Sequence, residues 1–286
     1  MRTFVLATAF LWSQFANAQN AELIGGTVAD PLDWPASPWV GNCSSTIIGE
    51  RVLLTAAHCV VNGGRKAFTI GATRYSGTCS HHTSYSTNST ADWALCLLTN
   101  PVTGIPLESI ASASEVACTI GKKFLWTGYG CTRWGGAIDG RLRIGNVTTT
   151  KCPIGSNYDT ITTGNVALCS GDSGGGGYIV FADGSRKIVG VNSRSNTTDT
   201  SYVSSTYTAS FTNWARSWAL ARSVKICGLH ADARGCGGVS LNPTSCTTQL
   251  NAAATSMETL KANRTLATIE ALENDTAALR SCMETN

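Results

Sequence analysis

The chain reads as a mainly β protein: an antiparallel sandwich or barrel, closed by one helix and followed by a cysteine-containing, partly helical extension. Three observations predict this. Residues 23–212 are short apolar runs broken by Gly, Asn, Asp and Ser, the pattern of many short strands joined by turns. Between Phe211 and Lys225, the residues Trp214, Trp218, Ala219 and Leu220 alternate with Arg216 and Arg222 as in an amphipathic helix. Past Cys227 the texture shifts to a Gly-, Asn- and Pro-containing loop holding Cys227, Cys236 and Cys246, then to a helical pattern over residues 247–282.

In chain order, Thr46-Ile47-Ile48, Arg51-Val52-Leu53-Leu54, Phe124-Leu125-Trp126 and Leu142-Arg143-Ile144 are strand candidates. Tyr178 to Phe181 and Lys187 to Val191 flank an Asp183-Gly184 turn and read as a hairpin. His81 and His82 lie in the polar stretch Ser80–Thr90 and read as exposed loop residues rather than metal ligands. In the tail, Leu250, Met257, Leu260, Leu266, Ile269, Leu272 and Leu279 recur at mostly three- and seven-residue steps. Residues 23–226 carry 16 Lys and Arg against 11 Asp and Glu, and residues 227–286 carry 4 against 6. A weakly acidic tail docking on a basic body is the expectation.

With 286 residues, 43% hydrophobic and 14% charged, the chain has ample material for a buried core and is not disordered. A net charge of +3 with no dense basic stretch argues against nucleic-acid binding. The 12 cysteines imply either metal binding or disulfides. Arg2, a short apolar run from Thr3 to Trp12 and the small residues Ala16-Asn17-Ala18 predict a secretory signal peptide over 1–18, cleaved after Ala18. No later run is long enough to span a bilayer. Export, the absence of paired C-x-x-C units and the presence of only four His favour disulfides, with no metal and no cofactor.

Three local sequences carry chemistry. Leu54-Thr55-Ala56-Ala57-His58-Cys59 sets a His after an apolar strand, Asp92-Trp93-Ala94-Leu95 sets a carboxylate before another, and Gly171-Asp172-Ser173-Gly174-Gly175 sets a Ser in a glycine-rich turn. A serine hydroxyl needs a base to attack an amide; His58 can take and return that proton, and Asp92 can fix its tautomer. In these motifs and their His, Asp, Ser order, residues 23–226 resemble the trypsin/chymotrypsin family of serine endopeptidases. The resemblance implies two antiparallel six-stranded β-barrels, hydrolysis of protein or peptide substrates through an acyl-enzyme, and an oxyanion hole from the N–H groups of Gly171 and Ser173. Protein inhibitors would be further partners, and a monomer is expected. The rival reading is a catalytically silent homologue that acts in adhesion or binding; such homologues lose triad members, and all three are present here.

The resemblance extends to activation and specificity. Leu23-Ile24-Gly25-Gly26 is similar to the family's mature N-terminus, so residues 19–22 are a short pro-segment and the Leu23 α-ammonium is expected to pair with Asp172. The bond to be cut follows Glu22 rather than Lys or Arg. The base of the substrate pocket falls on Ala167, which lacks the carboxylate of trypsins and implies a small or neutral P1 residue. Ser193-Arg194-Ser195 would form the pocket wall; Arg194 is expected to point to solvent, with attraction of acidic substrate residues as the alternative. Cys43 and Cys59 match the family's disulfide beside the His. Cys169 lacks its usual partner and Cys152 is expected to replace it, leaving Cys79, Cys96, Cys118 and Cys131 with three possible pairings.

Overall fold

The computed structural model describes residues 23–240 and 247–285, with backbone alone for 247–254, 275 and 277–285; the expected signal peptide, the pro-segment and Cys246 lie outside the described residues. After β1 (Thr27–Val28), a first group comprises β2 (Thr46–Gly49), β3 (Val52–Thr55), β4 (Arg65–Ile70), β5 (Thr73–His81) and β6 (Ala94–Leu98). A short helix, α1 (Ala113–Val116), leads to β7 (Lys123–Gly128), β8 (Arg143–Lys151), β9 (Asp159–Thr163), β10 (Gly176–Val180), β11 (Arg186–Ser195) and β12 (Thr200–Ser205). Three helices follow: α2 (Ala209–Leu220), α3 (Thr247–Ala262) and α4 (Leu266–Thr285).

The two strand groups close differently. The later group is a complete ring, β8-β7-β10-β11-β12-β9 with β9 returning to β8, and β1 adds outside β8. Closure removes its edges. The earlier group is an open five-stranded sheet, β2-β3-β6-β5-β4, one strand fewer than the barrel expected for it. The fold is chymotrypsin-like, with one closed barrel and one half-barrel. The hairpin read around Asp183-Gly184 is β10 and β11, paired from Gly176↔Val191 to Val180↔Arg186.

The open sheet hides its β2 edge under later chain. Cys227 N–H donates to Ile48 O at 2.8 Å and Glu108 N–H to Ile47 O at 3.1 Å. Ile226, Cys227 and Leu229 are buried in the same core as Ile47, Leu53 and Leu95. Residues 227–238 therefore pack on the body, clipped by Cys227–Cys236. By contrast, no described side chain of α3 or α4 is buried, and the single expected helical stretch is two helices interrupted at Asn263–Thr265.

Helix α2 begins at Thr208, whose side chain accepts the N–H of Phe211, and buries Phe211, Ala215, Trp218 and Ala219 on one stripe. Leu220, expected on that face, is exposed. His82 is also corrected: it is 5% exposed, packed edge-on to Trp93 and Trp214, with its ring accepting the Ser84 N–H at 3.1 Å. The polar neighbours of His82 suggested a surface loop, but helix α2 covers it.

The expected Cys152–Cys169 bond is not formed. Cys152 pairs with Cys118 and Cys169 with Cys131, while Cys43–Cys59 and Cys79–Cys96 complete the body. The reason is backbone placement: Gly121 N–H donates to Thr149 O at 2.8 Å, bringing the chain after α1 beside the end of β8, and Cys131 N–H donates to Ser170 O at 3.0 Å.

Candidate active site

His58 sits in a single 3-10 turn, Ala57–Cys59, directly after β3. The buried strand Val52–Thr55 fixes that turn from one side and Cys43–Cys59 from the other. Asp92 lies in the loop before β6, 2% exposed, and reaches His58 twice. Its Oδ1 accepts the His58 backbone N–H at 3.0 Å, and its Oδ2 lies 2.6 Å from His58 Nδ1. The Ser193 hydroxyl donates to the same Oδ2 at 2.7 Å. Burial pushes the Asp92 carboxyl up, but the hydrogen bonds and charge of His58 and the Ser193 hydroxyl outweigh it, so the group is held below its ordinary range. With Nδ1–H committed to Asp92, Nε2 of neutral His58 is left as an acceptor.

Ser193 reaches Asp92 because of a bulge. Along β11 and β12, Asn192 faces Val203 and Arg194 faces Tyr202, so Ser193 is the extra residue. Such a bulge turns a side chain out of the normal alternation.

Ser173 projects from the turn Cys169–Gly174. Ser44 N–H donates to Ser173 O and Gly174 N–H to Asn192 O, both at 2.8 Å, tying the turn to both halves of the body. Gly174 has φ +83°, and a Cβ there would stand 2.1 Å from Thr55 Oγ1. Only glycine lets the turn seat against the end of β3, three residues before His58. Among the described residues, the N–H groups of Gly171 and Ser173 have no acceptor, and Ser173 Oγ makes no hydrogen bond to His58. Catalytic contacts of that kind shorten when substrate binds.

Beside Ser173 lies a cleft of about 180 Å3 lined by Trp134, Leu168, Ser193, Arg194, Ser195 and Thr197, among others. Ala167, expected at its base, is wholly buried, donates its N–H to the Ile24 carbonyl at 3.0 Å and is not among the lining residues. Arg194 is only partly turned to solvent. Its guanidinium is bound to buried Asp159 and the Ser193 hydroxyl, and lies 5.0 Å from the Tyr202 ring. Asp159, Tyr202 and Trp134 carry no motif; only the pairing of β11 with β12 and β9 brings the first two to Arg194.

Asp172 differs from Asp92. It is wholly buried, and among the described residues its oxygens accept backbone N–H groups alone, from Gly130 at 2.8 Å and Cys169 at 2.7 Å. Burial raises its carboxyl to about 7, with Arg143 the cation that acts on it through space. Leu23 is buried in the closed barrel with Phe124, Trp126, Val147 and Val166. As a metal site the region is unpromising: Cys43, Cys59 and His58 cluster, but both sulfurs are spent in a disulfide.

Comparison with known proteins identifies the family. Residues 23–215 match the family model described as Trypsin. The chain is similar to brachyurin of Leptuca pugilator, 28% identical over 180 residues, or 54% of this chain and 80% of the relative. It is also similar to chymotrypsin-like elastase family member 1 of Macaca fascicularis, 27% identical over 210 residues, or 61% of this chain and 77% of the relative. The chain belongs to the trypsin family.

Proposed function

We propose that this protein is a secreted serine endopeptidase that acts through His58, Asp92 and Ser173. The observation that carries the reading is the grip of Asp92 on both the ring and the backbone of His58, beside a cleft that exposes Ser173. In the first step, Ser173 Oγ attacks the scissile carbonyl carbon while its proton passes to His58 Nε2. The carbonyl π pair moves onto oxygen, and that oxyanion is received by the N–H groups of Gly171 and Ser173. Collapse re-forms the C=O and breaks the C–N bond, with His58 returning its proton to the leaving amine. Water then attacks the acyl-enzyme by the same route, releasing the acid and restoring Ser173.

The cleft favours a small or neutral P1 side chain, since no carboxylate lines it and Arg194 is neutralised by Asp159. Cleavage after Glu22 would free the Leu23 α-ammonium, the natural partner for buried Asp172. A fluorophosphonate probe tests the activity. Labelling lost in Ser173→Ala supports it, and no labelling of the mature wild type would favour a silent binding protein. A peptide library dominated by Lys or Arg at P1 would overturn the specificity.

A further inference from the structure

Two stretches of chain distant in sequence hold the Asp172 carboxylate: residue 130 through its N–H to Oδ1, and residue 169 through its N–H to Oδ2. One covalent bond, Cys131–Cys169, joins those same two stretches. It is reinforced by the Cys131 N–H donating to Ser170 O at 3.0 Å. The socket leaves the carboxylate no spare room. A Cβ on Gly128 would stand 2.0 Å from Asp172 Oδ1, and one on Gly130 2.4 Å from Cγ. Both sulfurs are buried, Cys131 at 1% and Cys169 at 6% exposure. Immediately beyond the socket are Gly171 and Ser173, whose N–H groups are free to receive an oxyanion. The span from Cys169 to Ser173 is thus held at its start by the disulfide and at Asp172 by the socket that this disulfide defines.

We propose that Cys131–Cys169 is a positioning element for catalysis, holding the Gly171–Ser173 turn in its anion-receiving shape. The inference rests on the serine endopeptidase reading and deepens it. Two backbone N–H groups, with Arg143 acting only through space, are a weak anchor for a buried carboxyl that burial raises to about 7. A covalent link keeps both donors in register whether or not the carboxyl is charged, and whether or not a cation has arrived beside it. Oxyanion donors act by being in place before the charge develops, so a loosened turn costs turnover more than substrate binding. Cys118–Cys152 is the internal control, since it ties the chain after α1 to the end of β8 and touches neither donor segment.

The test compares the oxidised mature protein, starting at Leu23, with its C131A/C169A and C118A/C152A forms, measuring kcat, KM and thermal midpoint on a neutral-P1 peptide amide. Both pairs lower the midpoint. The proposal expects C131A/C169A to lose at least tenfold in kcat with KM within about threefold, and C118A/C152A to keep kcat within twofold. Should C131A/C169A not fold, graded reduction of the wild type with mass-spectrometric assignment of alkylated thiols decides the matter. Activity must then fall with the appearance of Cys131 and Cys169 thiols. Unchanged kcat without Cys131–Cys169, or a loss tracking Cys118–Cys152 equally, overturns the proposal and leaves the protease reading intact. A wild type with no Ser173-dependent labelling removes both.

Discussion

The two halves of the body each bury an aspartate beside the cleft, and the two carboxyls are driven in opposite directions. In the open half, Asp92 is met by the His58 ring, the His58 N–H and the Ser193 hydroxyl, and is held below its ordinary range. In the closed barrel, Asp172 meets backbone N–H groups alone and is raised to about 7. Burial is common to both. What differs is whether the surroundings supply side-chain donors and a titratable base in direct contact, or fixed peptide dipoles with a cation, Arg143, acting only through space. In the protease reading proposed above, the half that exchanges protons has the first arrangement, and the half that keeps a shape has the second.

The sharpest way to break this contrast is Asp92→Asn, which keeps the shape and removes the preference for the useful His58 tautomer. The expected result is a fall in kcat of about 10⁴-fold with the thermal midpoint little moved, as for such a triad generally. Next is truncation. Ending the chain after Lys225 strips Ile226, Cys227 and Leu229 from the core and bares the β2 edge, so a loss of about 4 kcal/mol or more is expected. Ending it after Ser240 takes away α3 and α4, none of whose described side chains is buried, and should leave stability within about 1 kcal/mol by denaturant titration.

The link between the halves is tested by Arg186→Met. Arg186 is fully buried, pairs with Glu108 at 2.5 Å and stacks 3.5 Å above the Trp34 ring. Removing the cation leaves Glu108 buried without its partner, for an expected loss of about 3–5 kcal/mol.

Asp172 gives the pH-dependent member of the series. In a form that retains residues 19–22, the folded carboxyl keeps its proton up to about 7 while the unfolded one loses it near its ordinary 3.8. Protons bound therefore fall on unfolding across that window, and stability should decrease as pH rises from about 4 to 7, by up to about 1.4 kcal/mol per unit. A form starting at Leu23 should show a flatter profile in the same urea titrations. The smallest effect is expected for Arg194→Ala, a change of a few-fold in kcat/KM that redistributes preference among neutral substrates.

How much of this was legible in the sequence depends on the range of the interaction. Local patterns located β2, β3, β7, the β10–β11 hairpin and α2, because alternation, an Asp-Gly turn and a helical stripe are written in neighbouring residues. The three chemical motifs were also visible, each being short and self-contained. The disulfide partners of Cys118, Cys131, Cys152 and Cys169 were not, because they depend on which loops the closed barrel brings together. Nor was the burial of His82, whose cover comes from a helix more than a hundred residues later. Arg194 is exposed, as expected for a surface charge, but nothing in its neighbours announced its partner Asp159, two strands away in the sheet.

Strand β11 works as a ruler between the core and the Asp92 carboxylate. One end carries Arg186, locked to Glu108; the other carries Ser193, aimed at Asp92. A strand can slide past its neighbours only in whole residues, and a slip of one would send each of these side chains to the wrong face. The two polar stops, seven positions apart, bracket a register shift near Val189 and reach the bulge at Ser193, and both are satisfied only with each irregularity in place. The placement of the hydroxyl on Asp92 is therefore measured from the far side of the barrel, and a single-residue deletion between the stops should abolish any activity of the proposed site while His58, Asp92 and Ser173 all remain present.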